Sequence, residues 1–192
     1  MYTGHVAIAL AARGLRNDLP LVVLIFASQA CDWVELVARL FVRRSQADLY
    51  THAFPFILLA AGGVAVLVWL RMRSLGAALT VMAVYLSHAA ADYVTGLKPL
   101  WYGGPSVGLQ LVEQPVADFV IQGSLCVVGV ALYARSFPAR NARRRRLAVA
   151  LPLVLLISLQ ALADVVIERI RERPDRAADT TRHVEGAAVR RA

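Results

Sequence analysis

The sequence predicts an all-α fold, a polytopic transmembrane bundle of about five to six helices, and three observations carry that expectation. Hydrophobic residues make up 58% of the 192-residue chain, against roughly 45–50% in soluble domains, and the mean hydropathy is +0.57. Apolar runs of about twenty residues recur, the length that roughly 30 Å of hydrocarbon demands at about 1.5 Å per helical residue. Arginines collect mostly between those runs and in the tail.

Taken in order, the opening stretch Thr3 to Leu15 is short for a span and reads as a half-helix or an interfacial helix. The second segment runs from Leu19 to about Val42 and carries Asp32, Glu35 and Arg39 in its second half, which blurs its end more than its start. Four runs are clear: they begin near Phe54, Leu75, Val116 and Leu147 and end near Leu70, Thr95, Ala134 and Ile167. Residues 1–167 thus form a transmembrane helical domain. Residues 168–192 are a polar, Ala-rich tail expected to be disordered. The start, MYTGHVAIALAA, lacks the basic region of a cleavable signal. Cys31 and Cys126 form no CxxC spacing and read as small core residues.

The net charge of +8 would suit nucleic acid, but no known reading module or basic-aromatic surface accompanies it. Anionic lipid headgroups are the expected partners of these arginines, and no nucleic acid is expected. Short loops rich in Lys and Arg stay on the cytoplasmic side. With the loop of Arg71 and Arg73 inside, alternation also places Arg13, Arg16, Arg135, Arg140, Arg143, Arg144, Arg145 and Arg146 there, ten arginines in all against one acid, Asp18. The opposite side receives Arg43, Arg44 and Lys98 in its loops. Six crossings also put Arg169, Arg171, Arg173 and Arg176 on that opposite side, against the rule, so either the first or the last helix is expected not to span. The same alternation brings His5, Asp32, Glu35, His52, His88, Asp92, Asp118 and Asp164 to one depth near the outer face.

An ionised Asp at mid-bilayer costs about 2.5–3.5 kcal/mol on insertion scales, so these groups must be paired, protonated, hydrated or holding a metal. In SHAAADYVTG, His88 and Asp92 stand four apart on one helical face. They serve either as two ligands of a divalent ion such as zinc or as a structural clip. In LYTHAFPF, His52 precedes a span that has Pro55 in its first turn; it is a ligand or an interfacial anchor. In QACDWVE, Asp32 and Glu35 lie one turn apart, either at a site or on a solvated helix end. His5 is a ligand or a frayed terminal residue, and His183 is a bland tail residue. In TGLKPLWYGGPSVGLQLVEQ, Lys98, Trp101 and Tyr102 form either a substrate rim or a packed connector with an aromatic anchor. For a shared site, side-chain atoms of His52, His88 and Asp92 should converge to within roughly 5 Å of one point.

These motifs together resemble the YdjM-like family of inner-membrane proteins, described as membrane-bound metal-dependent hydrolases. The resemblance runs from about Met1 to Phe137 and rests on GHVAIALAA, QACDWVE, YTHAFPF, SHAAADYVTG and the loop LKPLWYGGPSVGLQL. It implies a multi-pass protein of the inner (cytoplasmic) membrane with polar site positions at His5, Asp32, His52, His88 and Asp92. The chain departs from the family's pattern at Ala30, where a PDxD-like motif has a second acid. It departs again at Ala47 and Ala53, where a histidine and a serine are usual, and at Leu97 and Lys98.

The leading expectation is a hydrolase with a divalent metal on His5, Asp32, His52, His88 and Asp92. Asp32 or Glu35 would accept a proton from the metal's water, and Lys98, Trp101 and Tyr102 would meet a lipid or lipid-linked ester. The alternative is a non-catalytic membrane protein, an ion or proton pathway or a scaffold, that keeps the cluster structurally.

Overall fold

Of the 192 residues, the computed structural model describes 2–41, 50–137 and 143–165, and these are almost wholly helical. The helices are α1 (Tyr2–Leu15), α2 (Leu21–Phe41), α3 (Phe54–Met72), α4 (Leu75–Thr95), α5 (Pro115–Tyr133) and α6 (Arg143–Val165). Four of them, α3, α4, α6 and α5 with the 3₁₀ turn that follows it, are long and apolar enough to cross a membrane. Helix α1 has 14 residues, about 21 Å, short of the roughly 30 Å a span requires. Helix α6 starts earlier than the apolar run at Leu147, because Arg143 to Arg146 form its first turn; arginine is a good helix former whatever its charge. The expected end near Ile167, the tail from 168, and Arg43, Arg44 and Arg140 lie outside the described residues.

Local chemistry sets the boundaries. Helices α3 and α4 are joined by two residues: Arg73, left-handed at φ 52°, whose N–H donates to the Trp69 carbonyl at 2.7 Å, and Ser74, which caps α4 by accepting from Ala77 N at 3.2 Å. Between α1 and α2, Arg13 donates to the carbonyls of Asn17 and Leu19, and Arg16 pairs with Asp18 at 2.6 and 2.8 Å. The Arg16 hydrogen bonds hold the Asp18 carboxyl at about 2, so it stays ionised through the physiological range.

Short α1 sits inside the bundle, packed on α2, α4 and α5 and, through Thr3 against Gln160, on α6. Its buried positions are mostly small, Ala7, Ala9 and Ala12, with Leu10 between them. It runs parallel to α5 at backbone contact. A Cβ on Gly14 would stand 2.0 Å from the Leu132 carbonyl oxygen, and one on Gly129 would stand 2.3 Å from that of Ala7. Small residues allow such approach where lipid offers no hydrophobic drive to associate. On the outward faces, Leu59, Val66 and Leu67 of α3 and Leu151, Val154 and Leu155 of α6 are exposed apolar residues, as expected of helices facing hydrocarbon. Cys31 and Cys126 are buried free thiols, as the sequence predicts.

The alternation of helices gives the bundle two chemically different ends. The starts of α1, α3 and α5 and the ends of α4 and α6 meet at one; Arg13, Arg16, Arg71, Arg73, Arg135 and Arg143 to Arg146 occupy the other.

The α1–α5 contact is testable. Gly129→Leu should destabilise the detergent-solubilised protein by about 1–3 kcal/mol through overpacking, read as a lowered Tm. Gly63→Ala, where a Cβ meets nothing within 4 Å, should be neutral or stabilising by up to about 1 kcal/mol. Equal Tm values for the two variants would contradict the packing described.

Candidate metal centre

Three helices, α1, α2 and α4, and one turn bring the histidines and the carboxylates that face them together. Helix α4 presents His88 and Asp92 on one face near its end, both buried. Helix α2 brings Asp32 and Glu35 from one turn, and the 3₁₀ turn Tyr50–His52 delivers His52, buried, just before α3. That turn is pinned from the loop side: the Phe54 N–H donates to the Leu100 carbonyl at 3.0 Å, and the Tyr93 hydroxyl lies 3.1 Å from the carbonyls of both His52 and Pro99.

Asp32, His52, His88 and Asp92 each offer one ligand atom, and these four atoms lie within 4.8 Å of one another. The convergence predicted from sequence for His52, His88 and Asp92 is therefore present. Ligands at about 2.0–2.2 Å from a tetrahedral ion stand about 3.3–3.6 Å apart. Five of the six separations straddle that range: His52 Nε2 to His88 Nε2 3.4 Å, to Asp32 Oδ1 3.4 Å and to Asp92 Oδ2 2.9 Å, with His88 Nε2 to Asp92 Oδ2 3.6 Å and to Asp32 Oδ1 3.9 Å.

The surrounding groups fix which nitrogen faces inward. His88 Nδ1–H donates to the Ser28 carbonyl at 2.8 Å, which leaves Nε2 and its lone pair toward the cluster. His52 Nδ1 lies 3.2 Å from Glu35 Oε2 and 3.1 Å from the Thr51 hydroxyl, which likewise turns Nε2 inward. A carboxylate or carbonyl on the far nitrogen is the usual way a metal-binding histidine is oriented. Glu35 thus touches His52 from behind, and its carboxylate also lines the adjoining cavity.

His5, fully buried, also stands behind the cluster. Its Nε2 is 3.1 Å from Asp92 Oδ1, its ring lies 4.0 Å from that of His88 between centroids, and its Nδ1 is buried without a hydrogen-bond partner. It holds the Asp92 oxygen opposite the one that faces His52 and His88. Lys98 approaches Asp92 Oδ2 at 3.4 Å.

A cavity of about 590 Å³ adjoins the cluster. Asp32, Glu35, Asp92, Thr95 and Lys98 line it, as do Thr3, Asp118, Gln122, Gln160 and Asp164. Trp101 and Tyr102 do not line it. Both are exposed at the tip of a hairpin in which Lys98–Pro99 pairs antiparallel with Ser106–Val107. Gly103 turns there at φ 68°, and the Trp101 ring lies against Gly104, where a Cβ would sit 2.5 Å from Nε1. The loop is therefore a pinned connector that contributes Lys98 to the site. Thr3, Gln122 and Gln160 have no place in the sequence reading, although Gln122 lies four residues after Asp118 and Gln160 four before Asp164 within apolar helices, a spacing that marks shared faces.

Burial disfavours charge on His52, but the facing Asp32 and Asp92 carboxylates outweigh it and raise its pKa above the ordinary value. Both its ring nitrogens face carboxylates, an arrangement that suits an imidazolium. No family model, curated protein or solved structure matches this chain, so the chemistry rests on this geometry.

Two outcomes follow. A divalent ion must displace the proton on His52 Nε2, so metal affinity should fall about tenfold per pH unit as the pH drops below the raised His52 pKa; competition titration with a chromogenic chelator measures it, and a flat profile would contradict the assignment. Glu35→Gln should weaken metal binding roughly 10–100-fold by loosening His52. Unchanged affinity would remove Glu35 from that role.

Proposed function

We propose that this protein is a membrane-embedded, metal-dependent hydrolase of the YdjM-like type, acting on a lipid or lipid-linked ester. The observation that carries the reading is the set Asp32, His52, His88 and Asp92 at ligand spacing, with both histidines oriented from behind and the carboxylates bordering a cavity. Two imidazoles and two carboxylates form a mixed N/O donor set that suits zinc and other divalent ions.

Held by His52, His88 and Asp92, three ligands that would leave a position open beside Asp32, a divalent ion would supply Lewis acidity and lower the pKa of water toward about 7. The chain's own residues divide the remaining work. Ser28 and Glu35 keep the two imidazoles in register, and His5 holds Asp92 by its outer oxygen. Asp32, the least buried of the four, borders the cavity and is placed to accept a proton from water there. Lys98 carries a positive charge to the same rim and would bind an anionic oxygen of the substrate.

Access argues for a lipid-like substrate. Leu36 of α2 and Leu159 of α6 line the cavity and yet are exposed, so its apolar rim faces the side of the bundle where acyl chains would lie. With the arginine-rich end taken as cytoplasmic under the positive-inside rule, the cavity would lie near the outer leaflet of the inner membrane.

The test combines metal content with turnover. Protein purified in mild detergent and supplemented with zinc or manganese should hold near-stoichiometric metal that falls in His88→Ala and Asp92→Ala. Mixed micelles carrying a lipid phosphate monoester, a phospholipid diester or a diacylglycerol ester should reveal one class hydrolysed by wild type, with a chelator or either substitution reducing turnover to background. A wild-type protein that stays metal-free after supplementation would end the hydrolase reading.

A further inference from the structure

Across the cavity from the His/Asp cluster lies a second polar group built by α1, α5 and α6. The Thr3 hydroxyl sits 2.5 Å from Gln160 Oε1 and 3.1 Å from Gln122 Oε1. The Gln122 amide donates to Asp118 Oδ2 at 2.5 Å, and the Gln160 amide donates to Asp118 Oδ2 at 3.2 Å and to Asp164 Oδ1 at 2.7 Å. The network has a direction. Both glutamine oxygens turn toward Thr3, and both amide nitrogens turn toward the two carboxylates.

What remains unmet is therefore of one kind. Asp118 Oδ1 and Asp164 Oδ2 are buried without a hydrogen-bond partner, Asp118 is only 4% exposed, and both residues line the cavity. A buried carboxylate oxygen without a donor is costly, and two such oxygens sit on neighbouring helices. An occupant that brings hydrogen-bond donors and positive charge would answer both oxygens. A hard metal ion fits poorly, because it requires about six oxygens while the glutamine oxygens here are engaged elsewhere. A quaternary ammonium fits poorly too, since it has no N–H to donate and is recognised by aromatic rings, none of which lines this cavity among the described residues. A primary ammonium, with three N–H donors and one positive charge, matches two such oxygens.

Building on the hydrolase reading, we propose that Asp118 and Asp164 form a subsite for the primary ammonium group of a zwitterionic amphiphile whose anionic ester end lies at Lys98 and the His/Asp cluster. The two ends of one cavity carry the two complementary charges. The class of substrate is then an aminoalkyl phosphate ester, such as an ethanolamine phospholipid headgroup.

Protein loaded with metal and reconstituted in phosphatidylglycerol nanodiscs doped with either phosphatidylethanolamine or phosphatidylcholine separates the possibilities, with co-purifying lipid counted by mass spectrometry. Wild type should retain phosphatidylethanolamine over phosphatidylcholine by roughly tenfold, the worth of one charge-assisted hydrogen bond. Asp118→Asn/Asp164→Asn should bring the ratio near one while metal content stays at the wild-type level. Asp164→Asn alone, at the less buried carboxylate, should lower the ratio part-way and guards against a misfolded double variant. Soluble O-phosphoethanolamine competing against phosphocholine with the same preference would assign the recognition to the headgroup itself. A wild type without preference, or variants that keep it, would overturn the subsite. Preference without bound metal would leave the subsite standing and remove the hydrolase reading instead.

Discussion

A carboxylate buried among apolar helices has to be matched on every side, and at Asp92 that demand organises the whole site. Transfer of an unpaired Asp to mid-bilayer costs about 2.5–3.5 kcal/mol on insertion scales. Here one oxygen meets His5 of α1 at 3.1 Å, and the other meets His52 at 2.9 Å, Lys98 at 3.4 Å and His88 at 3.6 Å. Each partner comes from a different stretch of chain except His88, which is four residues back on the same helix. Satisfying one side chain therefore pins α1, the turn before α3, the loop after α4, and α4 itself. The candidate site and the stability of this end of the bundle share one interaction.

The cavity has an equally simple cause in the length of α1. Thr3 near its start lies level with Gln122, seven residues inside α5, so α2, α4, α5 and α6 rise past it and enclose a space. Small residues let α1 occupy the centre, since Gly14 and Gly129 allow backbone contact with α5. Longer side chains at those crossings would push α5 and α6 outward, and with them Asp118 and Gln160. The geometry of the second polar group thus depends on glycines well below it.

Much of this was legible in the sequence for physical reasons. A span needs about twenty apolar residues, so α3, α4 and α5 stand out within a residue or two of their ends. The i, i+4 spacing of His88 and Asp92 puts them on one face regardless of tertiary detail. Alternating helices and clustered arginines then place His5, Asp32, His52, His88 and Asp92 at one end, where the structure has them. What the sequence does not carry is contact through the backbone or through neutral amides. The Ser28 carbonyl that orients His88 has no side-chain signature, and glutamines in a helix have no fixed role until their neighbours are known. Arg143 to Arg146 marked a loop by charge yet form the first turn of α6, because charge sets depth in the membrane rather than backbone conformation. Trp101 and Tyr102 were placed by a preference for interfaces, but a two-residue strand pair and Gly103 decide which way the hairpin tip turns.

The distribution of polar groups through the bundle bears on the choice between a reaction site and a conduit. An ion or proton pathway needs polar or hydrated groups that continue from one end to the other. Among the described residues, the buried polar side chains are Thr3, His5, Ser28, Gln29, Thr51, His52, His88, Asp92, Thr95, Asp118, Gln122 and Gln160, and all of them gather in the half of the bundle that holds the cavity. Below them Ala9, Ala12, Leu19, Leu24, Ala27, Ala77, Val81 and Val84 pack into one apolar cluster spanning α1, α2 and α4. Leu10, Cys126, Val130 and Leu156 do the same between α1, α5 and α6. Moving a charge through those layers would meet the full desolvation penalty with no acceptor on the way. A packed apolar floor with an apolar rim above it describes a chamber served from one side among the described residues, the shape a reagent-binding site requires.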